Sequence, residues 1–387
     1  MAAAAACALA TPGVATGAEE TRPVEAPDAT AAEPDPSRLV TSAPPPPTPV
    51  TVEKQGRFGV VPFVVPAYQP ETSGLLGAAA VVVYQYDKPS VRRESQLLVA
   101  GAVSLKKQYS IIAQPDLWLL RDALHVAGTL SASHFPDTFF GIGNDTRAAD
   151  AEPYTPNFFE GELSVQPRIV NRLYLGPSIR AQWTDLDEVQ AGGLLERARI
   201  EGARGGLVTQ AGLSAVFDAR DETLYPRKGQ FVQAYVRFAR HEIGSEYDFT
   251  AGSIDARQYL TTYARHVLAF QALLELRGGA PPFFQLGRLG GESTMRGYFQ
   301  GRFRDRNYTA LQAEYRVPVV WRLGAVAFVS AGRVAHTPGD LTEVSGVRFA
   351  GGGGLRLAPF ADVPINIRLD VAYGNEPSFY LHVGEAF

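Results

Sequence analysis

The sequence predicts an all-β chain, a transmembrane antiparallel β-barrel of about sixteen strands, on three observations. From Phe58 onward apolar and polar residues alternate with period two, the signature of a strand with two unlike faces. Several alternating segments exceed ten residues, whereas strands of soluble proteins average about five or six. The longest apolar runs, Met1 to Ala10 and Leu75 to Tyr84, fall short of the ~20 residues a membrane helix needs, and no stretch carries a sustained helical stripe.

Composition agrees with a barrel wall and removes other classes. The 387 residues are 45% hydrophobic with a mean hydropathy of −0.07, as expected where lipid-facing and lumen-facing residues average out. Glycine (38), Phe (21) and Tyr (16) suit tight turns and aromatic girdles. Net charge is −4, and Lys and Arg are spread along the chain with no basic stripe, so nucleic acid is not an expected partner. Cys7 is the only cysteine, which leaves no disulfide framework within one chain.

Along the chain, residues 1–18 are small and apolar, with Thr16 and Ala18 at the two positions a signal cleavage site reads. No Lys or Arg precedes Arg22, so the expectation is a truncated or atypical signal peptide. Residues 19–56 are acidic, Pro-rich and free of aromatics, and include Pro44 to Pro47; too few apolar groups are present to offset ordering, and a disordered spacer is expected. The barrel is expected over 57–387.

Within it, strands are read near 58–65, 73–86, 94–104, 107–120, 123–133, 158–168, 171–185 and 206–218. They continue near 229–241, 246–260, 264–277, 305–318, 321–334, 346–358, 363–373 and 378–387. In the twelfth, Leu311, Ala313, Tyr315 and Val317 face one way and Gln312, Glu314 and Arg316 the other. In the fifteenth, Ile365, Ile367, Leu369, Val371 and Tyr373 oppose Asn366, Arg368, Asp370 and Ala372. The last segment places Phe379, Leu381, Val383 and the final Phe387 at one phase, a C-terminal strand signal. Gly351 to Gly354 reads as a thin strand that lets a neighbouring backbone or loop approach closely. The six histidines show no metal-ligand spacing, and no phosphate-cradling loop or nucleophile elbow is present, so neither cofactor nor enzymatic activity is predicted.

Between the eleventh and twelfth strands lies the most specific segment, Gly290-Gly291-Glu292-Ser293-Thr294-Met295-Arg296-Gly297-Tyr298. It resembles the Arg-Gly-aromatic motif in the sixth extracellular loop of the BamA/TamA family of outer-membrane proteins. Phe135-Pro136-Asp137 with Gly141-Ile142-Gly143-Asn144, Asp218-Ala219-Arg220-Asp221 followed by Pro226 and Gly229, Glu314-Tyr315-Arg316, and the closing Glu385-Ala386-Phe387 fit the same resemblance. It spans about Phe58 to Phe387.

The resemblance implies a bacterial outer-membrane location and insertion by the cell's barrel-assembly machinery. It also implies a loop folded back into the lumen and braced by its arginine. Partners would be outer-membrane lipid and client outer-membrane or secreted proteins. Two departures stand out: only the short spacer precedes the barrel where large members carry periplasmic domains, and the wall motif that usually offers an aspartate reads Phe328-Val329-Ser330-Ala331-Gly332. A guanidinium in a lumen needs acceptors and favours carboxylates. Inward-phased Glu314 and Asp370 are therefore the expected wall partners of Arg296, with Ser330 a secondary acceptor. Two functions follow: an assembly or translocation factor with a weak seam between first and last strands, softened by Pro62 and Pro66, or a passive pore or structural surface protein without insertase activity.

Overall fold

The computed structural model describes residues 58–69, 73–84, 95–105, 107–197, 200–359 and 366–387. The expected signal peptide (1–18), the spacer (19–56) and the start of the fifteenth strand (363–365) lie outside the described residues.

Among the described residues nineteen strands follow in chain order. The first are β1 (Phe58–Gln69), β2 (Ser73–Tyr84), β3 (Ser95–Ser104), β4 (Tyr109–Leu119), β5 (Leu124–His134) and β6 (Asp137–Phe139). Next come β7 (Glu152–Val170), β8 (Leu173–Val189), β9 (Gly206–Asp218), β10 (Gly229–Ala239), β11 (Phe249–Thr261) and β12 (Val267–Gly279). The remainder are β13 (Gly287–Leu289), β14 (Phe303–Asp305), β15 (Asn307–Val320), β16 (Leu323–Ala335), β17 (Arg348–Leu357), β18 (Ile367–Tyr373) and β19 (Pro377–Val383). Three of them, β6, β13 and β14, are three-residue pieces of loop structure. The other sixteen are the wall, and each overlaps one of the sixteen segments read from the alternation, with β1, β7 and β8 running beyond the bounds read.

Seventeen strands form one sheet, with β13 and β14 paired apart from it. Each wall strand pairs antiparallel with its neighbours in sequence, from β1–β2 through β18–β19. β1 extends four residues beyond the expected 58–65, so Pro66 lies within it, opposite Leu76. Among the described residues no helix is long and apolar enough to cross a membrane.

The two faces of the sheet are reversed relative to a soluble sandwich. Leu311, Tyr315, Val329, Val371 and Tyr373 are exposed, while Gln312, Glu314, Arg316, Arg368 and Asp370 are buried. A continuous exposed apolar face belongs in lipid, and the charged face then lines the interior. The connections also differ at the two ends. One end has short turns at 120–123, 171–172, 262–266 and 321–322; the other has the long segments 135–151, 190–205, 280–306 and 336–347. Short turns mark the periplasmic end of such a barrel and long loops the extracellular end.

Candidate functional site

After β12 the chain runs from 280 to 306 across the inner face before entering β15. Leu289, Met295, Tyr298 and Phe303 of this loop pack in one buried cluster with the wall residues Tyr308, Ala310, Val334 and Ala350. Two glycines make the path possible. Gly290 has φ +108°, and a Cβ there would lie 2.1 Å from the Phe299 carbonyl oxygen. Gly297 has φ +105°, and a Cβ there would sit 2.6 Å from the Gly374 nitrogen. Both positions are left-handed and crowded by backbone, so only glycine fits. The Gly297 amide donates to the Tyr380 hydroxyl (3.0 Å), and its carbonyl accepts from Asn375 (3.0 Å), which ties the loop to the β18–β19 turn. The Tyr298 hydroxyl donates to the Phe349 carbonyl (3.2 Å), and burial raises the pKa of that phenol.

Arg296 is buried between these anchors. Its Nη1 donates to Asp370 Oδ2 at 2.6 Å and its Nη2 to Glu314 Oε2 at 2.7 Å. All three side chains are fully shielded from solvent. The guanidinium lies 3.4 Å from the centroid of the Phe328 ring, a cation–π stack in a dry setting. Ser330 is brought to the same face but accepts nothing: it pairs with Gln312 and Ala350, one inward position beyond the Glu314–Phe328 pair, and its hydroxyl has no hydrogen-bond partner.

Each carboxylate that holds Arg296 holds a second arginine on its other oxygen. Glu314 Oε1 accepts from Arg316 Nε (2.8 Å), and Asp370 Oδ1 accepts from Arg356 Nη1 (2.6 Å). Arg356 Nε also donates to Glu385 Oε2 (2.8 Å), and Arg368 Nε lies 3.8 Å from Asp370 Oδ2. Burying these charges is affordable because nearly every carboxylate oxygen meets a guanidinium. The glycine run of β17 makes the room: a Cβ on Gly354 would lie 2.1 Å from Asp370 Oδ1, and one on Gly352 would lie 2.7 Å from Phe328 Cζ.

Arg316, Arg356, Arg368 and Phe328 were not singled out as site residues by the sequence. The phase signal was present, since all four face inward on their strands, but their partners depend on inter-strand register.

Besides the acceptor role of Ser330, a second sequence expectation is corrected. The strand ends at Val383, and Gly384 (φ +92°) turns the chain inward. Phe387 therefore leaves the phase of Phe379 and Leu381; it packs with Tyr259 and Ala269, and its carbonyl accepts from Arg316 Nη2 (3.0 Å). Phe379 stays exposed on the outer face, and the side chain of Val383 lies outside the described residues.

At the extracellular end the long loops hold one another. Gly143 donates to the Arg304 carbonyl (2.8 Å), Asn144 Nδ2 to the Gly346 carbonyl (2.6 Å) and Arg348 Nη2 to the Asn144 carbonyl (2.6 Å). Segments 135–151, 280–306 and 336–347 are thereby joined across the interior.

Comparison with known proteins completes the picture. The profile of the Omp85 superfamily domain matches residues 105–387. No curated protein sequence matches the chain. Among solved structures, BamA from Haemophilus ducreyi lacking POTRA domains 1–3 is similar at 12% identity with a TM-score of 0.54, over 85% of this chain and 69% of that one. CdiB from Escherichia coli is similar at 14% identity with a TM-score of 0.55, over 84% of this chain and 61% of that one. These likenesses establish a shared fold.

Proposed function

Because the chain belongs to the Omp85 superfamily and is an outer-membrane β-barrel, we propose that it inserts or exports client proteins at the outer membrane, with the loop of Arg296 held in the lumen as a fixed part of the machine. The observation that carries this reading is the two-carboxylate seat of Arg296 under a loop that closes on its neighbours. The extracellular segments around this loop are hydrogen-bonded to one another, so the loop is held as a fixed element and not as a swinging plug.

The opening for clients is the seam between β1 and β19, the two strands at the ends of the run of registers. Pro62 and Pro66 share a phase on β1, and the pairing of β1 with β2 continues through both of them. Proline is tolerated in a strand where its missing N–H would have pointed away from the paired neighbour. The two absent donors then fall on the edge of β1 that faces away from β2, which limits pairing there and leaves an edge on which a client strand can add by backbone pairing. β19 is also short at seven residues, because Gly384 turns the chain off the wall.

The test is reconstitution of purified protein into lipid vesicles, with client folding and single-channel conductance measured on the same preparation. The proposal expects client folding to be faster than in empty vesicles, with little steady conductance. Steady conductance without any acceleration of folding would assign the passive role instead.

A further inference from the structure

The short-turn end of the barrel carries a charge pattern that the proposed function does not use. Four turns there present an arginine: Arg121 in 120–123, Arg172 in 171–172, Arg265 in 262–266 and Arg322 in 321–322. Asp122 is the one acidic residue in these four turns. The first three arginines are exposed. Each of those three also adopts a left-handed backbone, with φ of 61°, 65° and 65°. Tight turns between strands ordinarily give such positions to Gly, Asn or Asp, for which they are inexpensive. Leu120, Asp122 and Trp321 of the four turns share the left-handed backbone, so the conformation belongs to the turns; what recurs in each is a long cationic side chain.

The neighbours of these arginines say where the charge sits. Leu120, Val170, Val320 and Trp321 are exposed on the outer face within one or two residues of Arg121, Arg172 and Arg322. Trp321 is 83% exposed, with the Arg322 guanidinium 5.0 Å from its ring centroid. Apolar and aromatic groups that open belong at the boundary of the hydrocarbon, and an arginine beside them reaches to headgroup depth. The opposite end differs in balance: its loops expose Asp145, Glu242, Glu246, Asp248, Glu343 and Glu376 alongside Lys107, Arg147, Arg197 and Arg204.

We propose that the arginine turns form a binding surface for the phosphate headgroups of anionic glycerophospholipids in the periplasmic leaflet. The cations lie at headgroup depth around the barrel, where bilayer phosphates are at hand, and the adjoining apolar side chains take up the acyl region. A soluble acidic polypeptide would meet the same cations without using the apolar band. Electrostatic attraction of this kind acts within about a Debye length, ~8 Å at physiological salt, and is lost at high salt.

The test uses the full chain in phosphatidylcholine vesicles containing trace spin-labelled phosphatidylglycerol or spin-labelled phosphatidylcholine. The ratio of their association with the protein is read from the motionally restricted spectral component. The expected ratio is about twofold or more in favour of phosphatidylglycerol at low salt, falling to near one in about 1 M NaCl. It should also fall to near one in the combined variant Arg121→Gln, Arg172→Gln, Arg265→Gln, Arg322→Gln. The matching set of Arg→Lys changes should keep the preference, because charge and not the planar fork is what the lipid reads. A ratio of one in the unaltered protein overturns the proposal, as does a preference that persists in high salt. The salt arm needs no variant. Binding of soluble polyglutamate by protein that shows no lipid preference would assign the surface to an acidic polypeptide and overturn it equally.

Discussion

Replacing Arg296 with alanine should release the loop from the lumen and leave the wall standing. The substitution removes two charge-assisted hydrogen bonds, at 2.6 and 2.7 Å, and the stack on Phe328. Hydrogen bonds to charged groups are each worth about 1.5–3 kcal/mol. Breaking a lone buried ion pair would add the cost of a stranded charge, but here Glu314 keeps Arg316 and Asp370 keeps Arg356, so neither carboxylate is left bare. The loss in loop seating is then roughly 3–6 kcal/mol, at least on the order of a hundredfold in the population of the released loop. Hydrogen exchange reads this directly at three loop amides: Gly291 bonded to the Tyr298 carbonyl, Tyr298 to Met295, and Gly301 to Leu289. Their protection should fall about a hundredfold or more, while amides in the middle of β9 keep theirs. Arg296→Lys should recover only part of the protection, since an ammonium lacks the planar fork that reaches both acids. Unchanged protection of the three amides in Arg296→Ala, or an equal loss throughout the wall, would refute the reasoning.

Gly297→Ala should unseat the same loop with Arg296 intact, because the new methyl would lie 2.6 Å from the Gly374 nitrogen at φ +105°; exchange at Tyr298 should rise, and an unaltered loop would contradict the crowding argument. Restoring the seam donors with Pro62→Ala and Pro66→Ala should stabilise the barrel by about 0.5–1.5 kcal/mol per hydrogen bond regained, raising Tm and slowing client folding severalfold; a lower Tm would place those positions in the β1–β2 ladder. The protein should sediment with the outer membrane and migrate faster on a denaturing gel when left unheated, as closed barrels resist detergent; recovery as a soluble monomer would sink the membrane assignment.

Much of the wall was legible because a period of two needs only local sequence. The segment read at 206–218 is β9 with the same bounds, and the inward phase of Glu314 and Asp370 is the phase the structure shows. What could not be read locally divides in two. β7 and β8 begin or end beyond their lipid-facing stretches, at Glu152 and Val189, where polar residues such as Asn157 and Asp185 weaken the alternation although the ladder continues. The partners of Arg296 depend on which residues of four strands share a level. Phe328 lies across from Glu314 and Gly352 only once β15, β16 and β17 are in register, so its ring was not assigned to the arginine. Phe387 leaves the strand phase for another reason: Gly384 ends the strand, and a turn at a single glycine leaves the alternation before it unchanged.

The central claim is that clients enter at the edge of β1 in a barrel whose loop stays pinned, and photo-crosslinking during client insertion tests it most directly. A crosslinking amino acid would be placed in turn at Val60, Pro62 and Val64 on β1, and at Val236 on the outer face of β10 as the control. The account predicts crosslinks from β1 to the client that appear as insertion begins and disappear as it completes, with none above background from Val236. Equal crosslinking from both strands, or none from β1 while clients still fold, would contradict it.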